Sequence, residues 1–147
     1  MRFQSYILFS IFLIFSTSCS KEESNNNQFV NSGLVGTWNA TNTSGGFAGI
    51  SCVYQPGELV LTFDLDGNLT ITNNVLNTTA ICGGQELGVE VGDHKFGVLE
   101  SNDKTYLLVN DIEHGEIEVA SNEFILNQNS SSVGFGADLY FLTFAKQ

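Results

Sequence analysis

The stretch 59–72, LVLTFDLDGNLTIT, constrains the fold more than any other part of the chain. Its side chains alternate along an extended backbone: Leu59, Leu61 and Phe63 face one way, Val60, Thr62 and Asp64 the other. An Asp-Gly turn follows, and Leu69 and Ile71 resume the alternation. A two-residue loop at Asp66-Gly67 pairs Phe63 with Thr70 and sends Leu69 and Ile71 to the opposite face. A three-residue loop, Leu65-Asp66-Gly67, pairs Phe63 with Leu69 and Leu61 with Ile71, with Gly67 in the left-handed position of a bulged turn. Only the second arrangement keeps the apolar side chains on one face, so the spacing predicts it.

The same short period runs through the rest of the chain from Gly33 onward. Residues 34–40 (LVGTWNA) open the sheet with Trp38, the only tryptophan. Residues 95–99, 105–110, 115–120, 123–128 and 139–145 read as later strands, and 47–54 and 86–91 as further ones. A tight turn at Ser121-Asn122 pairs Val119 with Phe124 and Ile117 with Leu126, leaving Glu116 and Glu118 on a solvated outer face. The last strand is apolar on both faces, as expected of one that closes a barrel against the first. One proline, 15 glycines and 15 asparagines agree with sheet and turns, and no stretch has a helical period. Residues 33–147 are therefore expected to form one all-β domain. With about eight to ten short antiparallel strands such a domain closes as a small β-barrel or stacks as a β-sandwich, and strand count alone does not choose.

The N-terminus is an address. Arg2 is followed by the apolar run YILFSIFLIF (6–15), then by Ser16, Thr17, Ser18 and Cys19. This has the regions of an export signal, and its apolar core is shorter than the roughly 20 residues of a membrane span. Small residues before a cysteine and a polar tract resemble the lipobox of bacterial lipoproteins. That resemblance implies a signal peptide over 1–18, acylation of Cys19 and anchorage in the bacterial outer membrane through the N-terminal lipid. The alternative is an ordinary secreted protein with a free cysteine. Residues 19–32 carry the acylated cysteine and a polar tether; the thirteen residues after Cys19 span roughly 40–45 Å when extended. Glu22 and Glu23 resemble a surface-export signal of Bacteroidetes lipoproteins, so the cell surface and the periplasmic face are both open as destinations.

Charge and cysteine content narrow the function. The chain carries 5 Lys plus Arg against 16 Asp plus Glu; removing 1–18 takes only Arg2 among the charged side chains, so the formal balance of −11 becomes −12. No basic footprint exists for nucleic acid or for an anionic membrane surface. With Cys19 assigned to lipid, Cys52 and Cys82 form an even pair in an oxidising compartment. Their disulfide would close a loop worth roughly 3–4 kcal/mol in the chain-entropy account. Two free thiols and a two-cysteine metal site are the alternatives.

Gly33-Leu34-Val35-Gly36-Thr37-Trp38, with the 59–72 hairpin, is similar to the lipocalin-like lipoproteins of Bacteroidetes. The matching features are Gly36 and Trp38 of a Gly-x-Trp strand, and Phe63, Asp66 and Gly67 of a Phe-x-x-Asp-Gly hairpin; residues 124–126 and 138–144 resemble the closing strands. The resemblance implies a lipocalin-like barrel with Gly36 and Trp38 at barrel closure. Residues 73–92 match no part of it.

No motif for nucleophilic or metal-assisted hydrolysis is present, and no enzyme activity, metal or cofactor is expected. His94 and His114 read as solvated histidines near turns, with a shared metal as the lesser reading. Glu116 and Glu118 would act as a glycosidase pair only if they lined a cleft. Asp64-x-Asp66-Gly67-Asn68 lacks the ligand spacing of a calcium loop and reads as a turn. The triplets at Asn42, Asn68 and Asn77 read as surface positions. The glycine pairs after Ser44 and Cys82 lack the basic residue of a phosphate loop.

Two function classes stand. One is a binding module for a small apolar ligand, its cavity lined by some of Phe47, Phe63, Phe96, Tyr106 and Phe124. The other is a filled barrel that presents the loops 41–49, 73–85 and 129–137 to a surface protein or glycan.

Overall fold

In a computed structural model of the chain, the described residues are 33–76, 82, 85–136 and 138–147. The signal segment, Cys19, the tether 19–32 and Asn77 lie outside them. The strands are β1 (Gly36–Gly45), β2 (Ile50–Val53), β3 (Leu59–Phe63), β4 (Asn68–Asn73), β5 (Gly92–Ser101), β6 (Lys104–Val109), β7 (Ile112–Val119), β8 (Glu123–Asn127), β9 (Ser130–Ser131), β10 (Gly134–Phe135) and β11 (Tyr140–Lys146). One 3₁₀ turn, Gln85–Leu87, stands where residues 86–91 were expected to form a strand.

Eight strands close a ring in the order β1-β3-β4-β5-β6-β7-β8-β11, each antiparallel to its neighbours. β11 returns to β1 along its length, from Trp38↔Lys146 to Gly45↔Tyr140. β2 continues the line of β3 on the same edge of β1, facing residues 42–45 where β3 faces 36–39. The sheet is thus a closed antiparallel barrel rather than a sandwich. Closure satisfies the backbone groups that an open sheet leaves at its edges.

Local chemistry fixes the turns. Phe63 pairs with Leu69 and Leu61 with Ile71, the register of the three-residue loop, and Gly67 has φ +76°. Asp64 holds this turn: Oδ1 accepts from the backbone N–H groups of Asp66 and Asn68, each at 2.8 Å, and Oδ2 from the Asn68 amide at 2.7 Å. These hydrogen bonds, the Asn68 amide first, hold the Asp64 carboxyl below the usual carboxylate range. Two further hairpins close on Asn-Asp pairs, Asn102-Asp103 and Asn110-Asp111, with positive φ at all four residues. Both-positive turns match the twist of paired strands, and Asn and Asp tolerate the left-handed region better than most residues. The 121–122 turn gives the expected pairs Val119↔Phe124 and Ile117↔Leu126.

Because consecutive ring strands reverse direction, the barrel has two distinct ends. The start of β1, the end of β11 and the β3–β4, β5–β6 and β7–β8 turns share one end. The β1–β2, β4–β5, β6–β7 and β8–β11 connections share the other. At the first end the interior is aromatic. Trp38, Phe63, Phe124 and Phe144 are buried, and Phe124 meets Trp38 edge-on at 5.1 Å and stacks on Phe144 at 4.4 Å. Phe63 meets Phe96 edge-on at 4.9 Å. Such contacts fill this half with ring against ring. Trp38 Nε1 donates to the Leu34 carbonyl at 2.6 Å, and the Lys146 ammonium lies 5.0 Å from the ring centroid. Gly36 pairs with Phe63 beside this closure.

Candidate functional site at the plugged end of the barrel

The second end is closed differently. Within the long β4–β5 connection, residues 85–91 lie over the mouth. This segment is tied to strands around the rim. Leu87 is buried, and Val89 packs against the core. Gln128, following β8, donates its Nε2 to the carbonyls of Glu86 and Leu87 at 3.0 and 3.1 Å. His94 on β5 meets the Glu90 carbonyl through Nε2 at 2.8 Å and receives the Asn110 amide on Nδ1 at 3.1 Å. The Nε2–H tautomer satisfies both contacts, donating at one nitrogen and accepting at the other. Tyr54, before β3, donates its hydroxyl to Glu86 Oε2 at 3.2 Å. The Cys52–Cys82 disulfide, with Cα atoms 5.6 Å apart, fastens the start of this region to β2.

His114 on β7 completes the rim. It is half-buried and hydrogen-bonded to the Leu87 backbone, not solvated as expected. Burial, then the nearby His94, lower its pKa below the usual imidazole value, while the bond to Leu87 opposes them. His94 is likewise half-buried, because β5 runs past the predicted turn and points this ring toward the mouth. Among the described residues, no group of three or more His, Cys, Asp or Glu side chains is placed to hold a metal ion.

A cleft of about 420 Å³ opens between this segment and the strands beside it. Leu87, Leu139 and Tyr140 give it apolar walls, and Glu86, Glu113, His114 and Gln128 add polar groups. Gly115 lies on its floor with φ +136°; a Cβ there would stand 2.5 Å from the Asn127 carbonyl oxygen, so β7 and β8 approach closely only because this residue is glycine. Glu113 is held aside by the Ser132 backbone N–H and hydroxyl. Two buried oxygens near this end have no hydrogen-bond partner, Thr43 Oγ1 and Glu86 Oε1.

The residues expected to line an interior cavity divide into three groups. Phe63, Phe96 and Phe124 are interior, but they pack on one another in the aromatic half. Phe47 is not interior: it is 94% exposed on the β1–β2 turn, because β2 begins only at Ile50. Tyr106 is buried outside the core cluster, opposite Glu116. In β6 the alternate residues Leu107 and Val109 enter the core, which turns Tyr106 outward.

Glu116 faces outward as expected, yet it is not solvated. The β9–β10 hairpin folds over β7, leaving Glu116 9% exposed and paired with Lys104 Nζ at 2.7 Å. Hydrogen bonds from Lys104 and then Ser130 hold its carboxyl below the usual range. Glu118 remains exposed, so the two acids do not line one cleft. Glu86, Gln128 and the capping role of 85–91 were invisible in the sequence. The unmatched 73–92 region, which contains Cys82, was the only signal there. No protein family, curated protein or solved structure matches this chain.

Proposed function

We propose that this chain is an envelope-anchored lipoprotein, held to the bacterial outer membrane through acylated Cys19. Its lipocalin-like barrel is a non-catalytic binding module for a small apolar ligand. The observation that carries the binding role is the mouth cleft: about 420 Å³, within the range of small-molecule sites, with apolar walls and a few convergent polar groups. The aromatic half is occupied by its own rings, so the ligand belongs at the plugged end. Titration with the neutral fluorescent probe N-phenyl-1-naphthylamine tests this. Saturable one-to-one binding is expected, with loss on Ser131→Trp, which places a large ring on the cleft wall. Non-saturable binding, or an unchanged Ser131→Trp, overturns it. The anchor has its own test: Cys19→Ala abolishes palmitate labelling, and undiminished labelling refutes the assignment.

A second reading rests on the loop tips of the same end. Phe47, Leu76 and Val133 are 94%, 99% and 96% exposed on three separate connections. Exposed apolar tips on adaptable loops favour contact with a surface protein or glycan. This reading takes over if the probe does not bind.

A further inference from the structure

We propose that the plugged end selects a small organic cation with an apolar body, a primary alkylamine, and that the Glu86 carboxylate is its counter-charge. The inference rests on the mouth cleft being the ligand site and adds the ligand's chemical class. Glu86 lines that cleft and is 7% exposed. Tyr54 satisfies Oε2, while Oε1 is buried and receives no hydrogen bond from any described residue. A buried carboxylate oxygen without a donor is costly, and a donor on a bound ligand would relieve that cost.

None of the described lysines supplies it. Lys104 pairs with Glu116 on the outer wall, Lys95 with Asn68, and Lys146 lies over Trp38 at the opposite end. These are the only described lysines, and Arg2 and Lys21, the remaining cationic residues, lie outside the described residues. His114, the other base on the cleft, holds its proton less readily than an ordinary imidazole because of burial and then the nearby His94. The donor set also disfavours a metal ion, since no three ligating side chains converge among the described residues. What Glu86 offers is one charged acceptor beside walls of Leu87, Leu139 and Tyr140, with its other oxygen held by Tyr54 behind the cleft. That matches an ammonium head on an aliphatic chain. The formal charge of −11 draws cations toward it. Contact with Oε1 requires the 85–91 segment to shift on the ties that Gln128 and Tyr54 make to it.

Calorimetric titration of the purified protein at pH 7 with octylammonium, octanol and octanoate, three probes of similar length, tests the charge preference. Octylammonium is expected to bind one-to-one, at least tenfold tighter than octanol, with octanoate weakest. Glu86→Gln, which keeps an acceptor for Tyr54, should bring octylammonium down to the octanol level, while Glu118→Gln, an exposed acid outside the cleft, retains the preference. Near-ultraviolet circular dichroism of Trp38 checks that each variant is folded. If Glu86→Gln fails to fold, the wild-type ranking of the three probes decides. Equal binding of octanol and octylammonium, or an unchanged Glu86→Gln, overturns the cation inference and leaves the apolar site standing. Failure of all three probes together with N-phenyl-1-naphthylamine overturns both.

Discussion

The two ends of this barrel are closed by opposite means. At the first end the turns are short and the seal is apolar: Trp38, Phe124 and Phe144 pack on one another, with Trp38 bonded to the Leu34 carbonyl. At the second end the segment 85–91 lies across the mouth. It is held by Gln128, His94, His114 and Tyr54 and by one disulfide, with two buried oxygens unpaired. Ring packing is water-excluding and has little to gain from opening. Single side-chain ties to a backbone segment contribute only about 0.5–1.5 kcal/mol each, so they can open and reform. The difference separates the end that holds the fold together from the end that has room for a ligand.

Removing the aromatic seal should have the largest effect. Trp38→Ala is expected to destabilise the domain by about 3–5 kcal/mol, read as a lowered midpoint in urea with the slope unchanged. A near-neutral shift would mean that the first end is not where stability resides. Replacing both Cys52 and Cys82 by Ser should cost about 3–4 kcal/mol through the unfolded chain. Hydrogen exchange should then accelerate most across 85–91 and least in β8. Uniform acceleration would show that the capping segment is no separate unit.

The smallest effect is that of pH. His114 binds its proton less tightly in the folded state, so the unfolded chain takes up more protons as pH falls through about 6.5, and stability declines below it. Glu116, with its carboxyl held low, keeps its contribution until far more acid conditions and does not obscure this window. Thermal melting at pH 7.5 and 5.5 should show the loss, and His114→Asn should shrink it. An unchanged pH dependence in that variant would remove His114 from the plugged end's energetics.

Legibility followed the range of the interactions. The 59–72 hairpin was readable down to its register, because one face must be buried and only one loop length achieves it. The pairing around Ser121-Asn122 was readable for the same reason. Phe47 and Tyr106 were misplaced because an aromatic residue near a strand reads as core, and only the start of β2 and the alternation in β6 show otherwise. The solvated reading of Glu116 failed for want of the hairpin that covers it. His94 and His114 sit where turns were expected, but β5 and β7 extend past those points.

What the sequence determined by itself is local and periodic: the all-β class, the alternation that faces Leu61, Phe63, Phe124 and Leu126 inward, and the turn at Gly67. Each follows from neighbours a few residues apart. The tertiary structure alone decided that β11 returns to β1, that 85–91 lies across the mouth, and that Glu86 is buried there with one oxygen unanswered. Those outcomes depend on closure of the ring, which brings together residues distant in the chain, and no local period encodes which of them will meet.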